Sequence, residues 1–472
     1  MDLLQNRLQG YLGKGMCSFH TPGHKGRKDL FSPDFFPDYD LTELPGLDML
    51  HNPQGVIAEA QRRAAAVYGS DEAYFLVNGG TVGNQAMFAA LMQDIRMRGK
   101  KIRIDRKSHR SVYSALILSG LQPEYIEPVI HPEFQLALGF DAKKFTTDSA
   151  DIGAYHITSP SYYGTTADLE SIIEERDSQF PGIPLLVDQA HGAHFWGRHF
   201  PAHAIRLGAD MVVFSAHKTL AALTQSGMLH VQGQRIARTA LKSALELLQT
   251  SSPSYLLMTS LEAAVNGLTQ AAWDDLHEEV CNLHRKLNGR LRLLAESDHG
   301  QFGIHEVDWT KILLNISHLD VSIKEAITIL RHKYHVEPEL WDERNILFML
   351  GVGNTPEDVK LLTQALTYLA DNYSGNPNAL SGKEQAEKQL PIPPMHLTPR
   401  EAWQSPKRKI KLKQALGKIS AETVSIYPPG IPLVAAGEEI TPPILAYLLN
   451  ADNYRWQGWD GFEAGEIQVI DI

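Results

Sequence analysis

The sequence predicts an α/β protein whose largest domain is built on a mostly parallel sheet. Short apolar runs typical of buried strands alternate with helix-like stretches through the first 230 residues. Such alternation is the pattern of parallel strands joined by crossover helices. The runs that predict strands are 73–77, 101–104, 153–157, 184–187 and 211–214, and those that predict helices include 85–95 and 169–176.

The chain of 472 residues is long enough for two or three domains. A long helical stretch at 255–290 leads out of the first domain, and a second group of strand-like and helix-like runs follows it. A stretch rich in proline, glycine and polar residues then predicts a linker. We predict an N-terminal arm over 1–50, a large domain over 51–295, a small α/β domain over 296–373, a linker over 374–394 and a C-terminal domain over 395–472.

Composition excludes several classes of protein. The net charge of −11 disfavours nucleic acid as a partner, since nucleic acid prefers a basic surface. Two cysteines, Cys17 and Cys281, cannot form a disulfide scaffold for so long a chain, which favours a reducing cytoplasm. The N-terminus lacks the order of a signal peptide, and no stretch approaches the roughly 18 apolar residues of a membrane span. We therefore expect a cytoplasmic protein with no membrane partner.

A lysine and an aspartate follow two of the strand-like runs. Lys218 ends the stretch Ser215-Ala216-His217-Lys218, and Asp188 directly follows run 184–187. This pair is what pyridoxal phosphate (PLP) needs, because a lysine amine forms a Schiff base with the PLP aldehyde and a carboxylate keeps the pyridine nitrogen protonated. Ligands of parallel sheets bind at the carboxyl ends of the strands. The residues expected to meet there are Asn78, His109, Thr158, Asp188 and Lys218.

A glycine-rich stretch is the candidate phosphate site. Asn78-Gly79-Gly80-Thr81-Val82-Gly83-Asn84 follows one strand-like run and opens a helix. Backbone amides at a helix N-terminus, here those of Gly80, Thr81 and Val82, suit a phosphate dianion. Alone, the stretch fits a plain turn equally well. The Ser215 and His217 side chains next to Lys218 favour the phosphate interpretation.

These residues and several further motifs, taken in order, resemble the PLP-dependent ornithine/lysine/arginine decarboxylases of fold type I, in their short Gram-positive form. Each motif is weak alone, but the ordered set spans nearly the whole chain. The motifs are residues 21–26 (TPGHKG), 41–48 (LTELPGLD), 78–84 (NGGTVGN), 108–111 (SHRS), 158–164 (TSPSYYG), 215–225 (SAHKTLAALTQ), 397–402 (LTPREA) and 427–432 (YPPGIP).

The resemblance implies an aspartate aminotransferase-like large domain that binds PLP, and it assigns further roles. His109 would stack on the pyridine ring, with Ala190 and His191 near that ring. Ser252 would reach the phosphate of a neighbouring subunit, which implies a homodimer with shared active sites and is compatible with a higher oligomer. Glu337 would meet the distal cation of the substrate, although Glu339, Asp342 and Glu343 lie close enough to be mistaken for it.

Several details depart from the family or compete with these assignments. Gly80 stands where a hydroxyl residue is usual, and Gln189 stands where an acid is usual. Lys25 is the rival to Lys218, but no strand precedes it, so we expect a loop or subunit-contact residue. The histidine pairs 20/24 and 191/194 lack the other ligands of a zinc site, so we expect no metal.

The predicted function is therefore PLP-dependent decarboxylation of arginine, lysine or ornithine to the amine and CO2, a step of polyamine biosynthesis. An aminotransferase is the first alternative. It would share Asp188 and Lys218 but would need an arginine for the substrate carboxylate, and neither Arg110 nor Arg344 is convincing. A non-catalytic regulatory protein on a PLP fold is the second alternative.

Overall fold

The computed structural model describes residues 13–21, 23–25, 27–31, 41–44, 47–148, 150–373, 375, 391–427, 430–450 and 455–471. The expected N-terminal arm and linker thus fall only partly within the described residues. Six positions of the family-like motifs lie outside them, namely Pro22, Gly26, Pro45, Gly46, Pro428 and Pro429.

The strands of the described residues are numbered in chain order. They are β1 (Cys17–Phe19), β2 (Glu72–Leu76), β3 (Lys101–Asp105), β4 (Gln122–Ile126), β5 (Pro128–Ile130), β6 (Ala137–Phe140), β7 (Ile152–Thr158), β8 (Leu185–Asp188), β9 (Met211–Phe214), β10 (Gly227–Val231), β11 (Arg292–Leu293), β12 (Lys311–Asn315), β13 (Val336–Pro338), β14 (Leu340–Trp341), β15 (Asn345–Met349), β16 (Lys407–Lys411), β17 (Val424–Tyr427), β18 (Ile431–Val434), β19 (Arg455–Gln457) and β20 (Glu466–Ile470).

The helices of the described residues are numbered in the same way. They are α1 (Val56–Tyr68), α2 (Gly79–Met92), α3 (Arg110–Ser119), α4 (Lys143–Thr146), α5 (Leu169–Gln179), α6 (Ala204–Leu207), α7 (Ala216–Thr219), α8 (Arg238–Leu248), α9 (Tyr255–Asn266), α10 (Gln270–Leu287), α11 (Ile323–Lys333), α12 (Pro356–Asn372), α13 (Pro399–Gln404) and α14 (Pro442–Leu449).

A seven-stranded sheet in the order β2-β10-β9-β8-β7-β3-β4 forms the centre of the described structure. Strand β10 runs antiparallel to both of its neighbours, and the other pairings are parallel. The predicted α/β class with a mostly parallel sheet is therefore confirmed. Each predicted strand lies within one or two residues of an observed one.

Helices cover both faces of this sheet, which explains why its strands are continuous apolar runs. On one face, α2, α3 and α8 bury Phe88, Leu116 and Leu241 against Ile102 and Val213. Other clusters fill the opposite face between α5 and α6 and beneath α1, α9 and α10. The sheet is thus a rigid, water-free platform for whatever lies at its edge.

A second sheet, antiparallel and in the order β11-β12-β15-β14, lies within residues 292–349 and is flanked by α11 and α12. Strand β1 pairs in parallel with β13, so the chain near residue 18 is attached to this part of the fold. Consequently the N-terminal segment bridges from the small sheet towards the large one.

The C-terminal residues form two small antiparallel sheets, β16-β20 and β18-β17-β19, around their own apolar core. This unit docks on the large sheet through Arg106, whose guanidinium forms a doubly hydrogen-bonded ion pair with Glu438 at 2.6 and 2.8 Å. Arg400 also donates to the carbonyl oxygen of Ile117 at the end of α3. The domain boundaries predicted from the sequence remain a proposal.

Candidate active site

The carboxyl ends of five strands meet at one edge of the large sheet. Strands β2, β3, β7, β8 and β9 all point the same way, because β10 runs antiparallel between β2 and β9. The polar residues expected to converge follow these strands directly or within a short turn. They are Asn78, His109, Thr158, Asp188 and Lys218.

Lys218 lies in α7, the single helical turn that follows β9. Its Nζ is 2.8 Å from Nε2 of His191, a buried residue of the loop after β8. Burial lowers the pKa of Lys218 from 10.5 to about 8, against the attraction of the Asp188 and Glu339 carboxylates. The His191 pKa is also lowered, first by burial and then by Lys218. A lysine with this pKa offers more of the neutral amine, the form that attacks an aldehyde, than an ordinary lysine does.

Asp188 ends β8 and is only 1% exposed. Its Oδ2 accepts a hydrogen bond of 2.8 Å from Asn84 Nδ2, and its Oδ1 accepts one of 3.0 Å from the Ala190 backbone. These two donors fix the orientation of the buried Asp188 carboxylate. Ala190 is half-buried directly beside it, so a small side chain adjoins the carboxylate.

The N-terminus of α2 follows β2 at the same edge, where the first backbone N–H groups of a helix have no partner within the helix. Its N-cap residue, Asn78, makes no side-chain capping bond, and Val82 is buried behind the first turn while Thr81 is exposed. A Cβ on Gly80 would lie 2.8 Å from the Ser215 Oγ. The Ser215 hydroxyl therefore occupies the space that a residue-80 side chain would take, which offsets the departure seen in the sequence. This set of donors suits a phosphate.

His109 is the N-cap of α3, and its ring is exposed to the cleft while Nδ1 faces Ser111. Desolvation in the cleft lowers its pKa, ahead of the opposing attraction of Asp188. An exposed, neutral imidazole face at this edge offers a surface on which an aromatic ring can stack.

His217 and Ser252 lie further from the centre of this group. His217 Nδ1 is 2.9 Å from the carbonyl oxygen of Ser226, so part of that ring is used locally. Ser252 is exposed, and its hydroxyl is 3.3 Å from that of Thr250. Thr250 in turn donates its backbone N–H to Asn78 Oδ1, which places the segment beside the start of α2. A contact of Ser252 with a second subunit's phosphate stays a prediction.

Glu337 does not join the other candidates in the structure. Its carboxylate accepts hydrogen bonds from Arg331 Nε at 2.8 and 3.0 Å, so its charge is already paired. Glu339 does face the edge, because its Oε1 accepts from the Tyr162 hydroxyl at 2.5 Å and its Oε2 from the Thr21 backbone at 2.7 Å. The role of Glu337 stays a prediction, and Glu339 is the carboxylate that the geometry favours.

Lys25 belongs to a loop, as expected, but its side chain is buried within the site. Its Nζ donates to the carbonyl oxygens of His20 and Met349 at 2.6 and 3.0 Å. Burial lowers its pKa to about 7, against the attraction of Glu339. The sequence did not predict that the Lys25 side chain reaches the site. Its neighbours in the sequence, a glycine and a histidine, give no indication that it contacts Met349 at the end of β15.

The loop of Lys25 is held by close backbone contacts that require glycine. Gly23 N donates to the His217 carbonyl oxygen at 2.7 Å, and a Cβ on Gly23 would lie 2.5 Å from the Thr219 carbonyl carbon. On its other side, Gly353 N donates to the Gly23 carbonyl oxygen. Gly23 therefore connects the Lys218 turn to the loop that follows β15.

Gln189 has a structural role rather than a place among the site groups. Its side chain donates to the Gly192 carbonyl oxygen at 2.8 Å and accepts from the Ala204 backbone at 2.9 Å. Both bonds fix the loop that carries His191. A carboxylate at this position would lose the first of these bonds.

These residues fit PLP. The α2 amides with Ser215 suit the phosphate, the buried Asp188 suits the ring nitrogen, and Lys218 has a depressed pKa. The buried Nδ1 of His191 and Oγ1 of Thr219 have no hydrogen-bond partner among the described residues.

Within the described residues, no cluster of three or more His, Cys, Asp or Glu side chains has the geometry of a metal site. None of the described helices is long and apolar enough to cross a membrane.

Comparison with known families places the chain. Residues 3–307 match the major domain of the Orn/Lys/Arg decarboxylases, and residues 382–468 match their C-terminal domain. The chain is 33% identical over 466 residues to the arginine decarboxylase of Bacillus subtilis (strain 168), covering 94% of this chain and 92% of the relative. The protein belongs to the Orn/Lys/Arg decarboxylase family, and is thus an enzyme of a PLP-dependent decarboxylase family.

Solved structures agree on the fold. The lysine decarboxylase of Francisella novicida superposes with a TM-score of 0.76 at 20% identity, covering 96% of this chain and 79% of that one. An aspartate aminotransferase from Thermus thermophilus superposes with a TM-score of 0.54 at 12% identity, covering 74% and 98%. The fold type I prediction is confirmed, and PLP is the cofactor that this fold implies.

Proposed function

We propose that this protein decarboxylates arginine, lysine or ornithine to the corresponding amine and CO2, with PLP attached at Lys218. The observation that carries the proposal is the arrangement at one sheet edge, where Lys218 follows β9 and the buried Asp188 ends β8. The Glu339 carboxylate, held by Tyr162 and Thr21, lies close enough to attract the Lys218 ammonium. One carboxylate suits the pyridine nitrogen, and the other suits a cationic substrate side chain. A site for a neutral or acidic amino acid would have no use for the second carboxylate.

When bound, PLP supplies an electron sink for the carbanion left as CO2 departs. The chain's own residues do the rest. Lys218 would provide the amine for attachment, and Asp188 would keep a proton on the ring nitrogen. His109 would cover one face of the ring, and the α2 amides, with Ser215 and His217, would hold the phosphate. Lys218 with its neighbour His191, 2.8 Å away, can deliver a proton to the substrate's α carbon.

Glu339 receives the distal ammonium or guanidinium of the substrate in this proposal. A cation bound to a carboxylate gains a charge-assisted hydrogen bond. The Tyr162 hydroxyl and the Thr21 amide fix the Glu339 carboxylate, so its orientation is set before substrate arrives. Glu337 remains the alternative for this role.

Arginine is the first substrate to test. The relatives that cover about nine-tenths of this chain at 32–33% identity include arginine decarboxylases of Bacillus subtilis and Halalkalibacterium halodurans. Lysine decarboxylases share the fold at 20% identity, which carries no weight for the substrate.

The assembly in this proposal is a cytoplasmic homodimer that feeds polyamine biosynthesis, with Ser252 of each chain reaching the other chain's phosphate. A Ser252→Asp variant would repel that phosphate, and Lys218→Ala would lose the attachment point. Co-expression of the two inactive variants should restore about a quarter of wild-type activity, because half of randomly paired dimers contain one intact site of two. No recovery in isolated hybrid dimers would contradict shared sites.

The test is amine and CO2 release by the PLP-loaded protein on L-arginine, L-lysine and L-ornithine, with Lys218→Ala as the control. We expect one substrate to dominate and its turnover to be lost in the variant. Formation of a keto acid instead would indicate an aminotransferase. Cofactor binding without any turnover would indicate the regulatory alternative.

A further inference from the structure

A chain of hydrogen bonds links the two residues expected on the cofactor ring, Asp188 and His109. Asn84 Nδ2 donates to Asp188 Oδ2 at 2.8 Å and to Ser111 Oγ at 2.9 Å. Ser111 Oγ is in turn 2.8 Å from Nδ1 of His109. Asn84, Ser111 and Asp188 are buried, so these bonds are shielded from water.

The backbone favours one arrangement of hydrogens at the His109 end of this chain. The backbone N–H of Ser111, which can only donate, lies 3.2 Å from Nδ1 of His109. This donor favours Nδ1 as an acceptor that carries no hydrogen. The Ser111 hydroxyl can then share the same lone pair as a second donor, while its oxygen accepts from Asn84.

The other end is fixed by charge. The Asn84 amide must present its NH2 group to Asp188, since its carbonyl oxygen would be repelled by the carboxylate. That orientation turns Asn84 Oδ1 towards Nε2 of His156, at 3.3 Å. Burial lowers the His156 pKa to about 4, so the neutral ring can donate from Nε2. Its Nδ1 has no hydrogen-bond partner among the described residues.

We propose that Asn84, Ser111 and His156 are positioning residues that hold the Asp188 carboxylate in place and His109 in a single tautomer, with its hydrogen on Nε2. The network thus fixes both residues expected on the cofactor ring before substrate binds. None of the three residues needs to touch the cofactor, and they act through Asp188 and His109. This inference rests on the proposed function only for its effect on catalysis, and the two experiments that test it do not depend on that function.

The first experiment reads the tautomer directly. Two-bond 1H–15N correlation spectra of PLP-loaded protein labelled in histidine report which ring nitrogen carries hydrogen, and a His109→Gln variant assigns the signals. At pH 7 we expect His109 protonated on Nε2 only. In Ser111→Ala the backbone N–H alone is left to hold Nδ1 as an acceptor, so a minor population of the Nδ1–H tautomer should appear, and Ser111→Thr, which keeps the hydroxyl, should restore the single form. A wild-type His109 protonated on Nδ1, or on both nitrogens, would overturn the proposal.

The second experiment reads the Asp188 end through cofactor affinity. Asn84→Asp would place a second carboxylate beside Asp188, and the two would share a proton. Asn84→Ala would only remove the hydrogen bond. We expect the Kd for PLP to rise about 10- to 100-fold in Asn84→Ala and further in Asn84→Asp. Folded variants that bind PLP as tightly as wild type would overturn the proposal.

Neither readout requires turnover. If the protein binds PLP but decarboxylates no basic amino acid, the proposed function fails while the tautomer and affinity results still decide the network.

Discussion

Glu337 and Glu339 stand two residues apart but face different partners. Arg331 binds the Glu337 carboxylate through Nε, at 2.8 and 3.0 Å. The Glu339 carboxylate instead accepts from Tyr162 and from the backbone of Thr21, at 2.5 and 2.7 Å. Pro338 lies between them, at the end of β13, where the chain leaves its pairing with β1. Because of this break, the two carboxylates meet different neighbours.

Replacing Glu339 should therefore weaken substrate binding. Glu339→Gln keeps the shape and removes the charge, so the distal cation loses a charge-assisted hydrogen bond. We expect kcat/KM to fall about 10- to 100-fold, mostly through KM. Steady-state kinetics on the preferred amino acid measure this. Glu337→Gln is the matched variant, and a larger loss there than in Glu339→Gln would assign the role to Glu337.

The depressed pKa of Lys218 predicts how the apoprotein takes up its cofactor. Only the neutral amine attacks the aldehyde, so the rate of covalent attachment should rise with pH and reach half its maximum near pH 8, where burial places the pKa. Asp188 raises this pKa by attracting the ammonium. Asp188→Asn should accordingly move the midpoint to lower pH.

Stopped-flow absorbance after mixing apoprotein with PLP at a series of pH values follows this uptake. A midpoint near 10.5, the ordinary lysine value, would show that Lys218 is not desolvated. A midpoint that moves upward in Asp188→Asn would contradict the electrostatic relationship between the two residues.

Gly80 and Ser215 compete for one space at the start of α2, where a Cβ on residue 80 would lie 2.8 Å from the Ser215 Oγ. Gly80→Ala should push the Ser215 hydroxyl aside and weaken PLP binding about 10- to 100-fold, the equivalent of one hydrogen bond to a charged group. Gly80→Ser should lose less, because its own hydroxyl can replace that of Ser215. Equilibrium titration with PLP measures both, and equal affinities of Gly80→Ala and wild type would refute the competition.

The buried ion pair between Arg106 and Glu438 should hold the C-terminal unit against the large sheet. Their side chains are 4% and 1% exposed, so Glu438→Ala would leave a buried guanidinium unpaired, at a cost of about 3–5 kcal/mol in the free energy of unfolding. Denaturant unfolding followed by fluorescence measures the loss. The exposed pair Lys409–Asp460 is the control, and Asp460→Asn should change little. Similar effects of the two variants would contradict this account.

Much of the sheet edge could be predicted because local patterns determine it. Apolar runs mark buried strands, and polar residues directly after them must lie at the carboxyl ends if the strands are parallel. Asp188, Lys218 and the α2 N-terminus follow from that reasoning. The antiparallel direction of β10 does not follow from that reasoning, because an apolar run such as Gly227–Val231 is the same in a parallel and in an antiparallel strand.

The substrate side of the site depends on contacts between distant segments. Thr21 and Glu339 are 318 residues apart, and Lys25 reaches the Met349 carbonyl oxygen across 324 residues. No periodicity in the sequence reports such packing. The sequence alone does not separate Glu337 from Glu339 for the same reason, since the two positions differ in which neighbours they meet, and the role of Glu337 stays a prediction.

Lys218 carries the cofactor in the proposed function, and Lys25 and Lys311 are the other lysines near this edge. Reduction of the PLP-loaded protein with borohydride, followed by digestion and mass spectrometry, locates the pyridoxyl group. We expect the label on Lys218 alone and no covalent label in Lys218→Ala. A label on Lys25 or Lys311 in the wild-type protein would contradict this expectation.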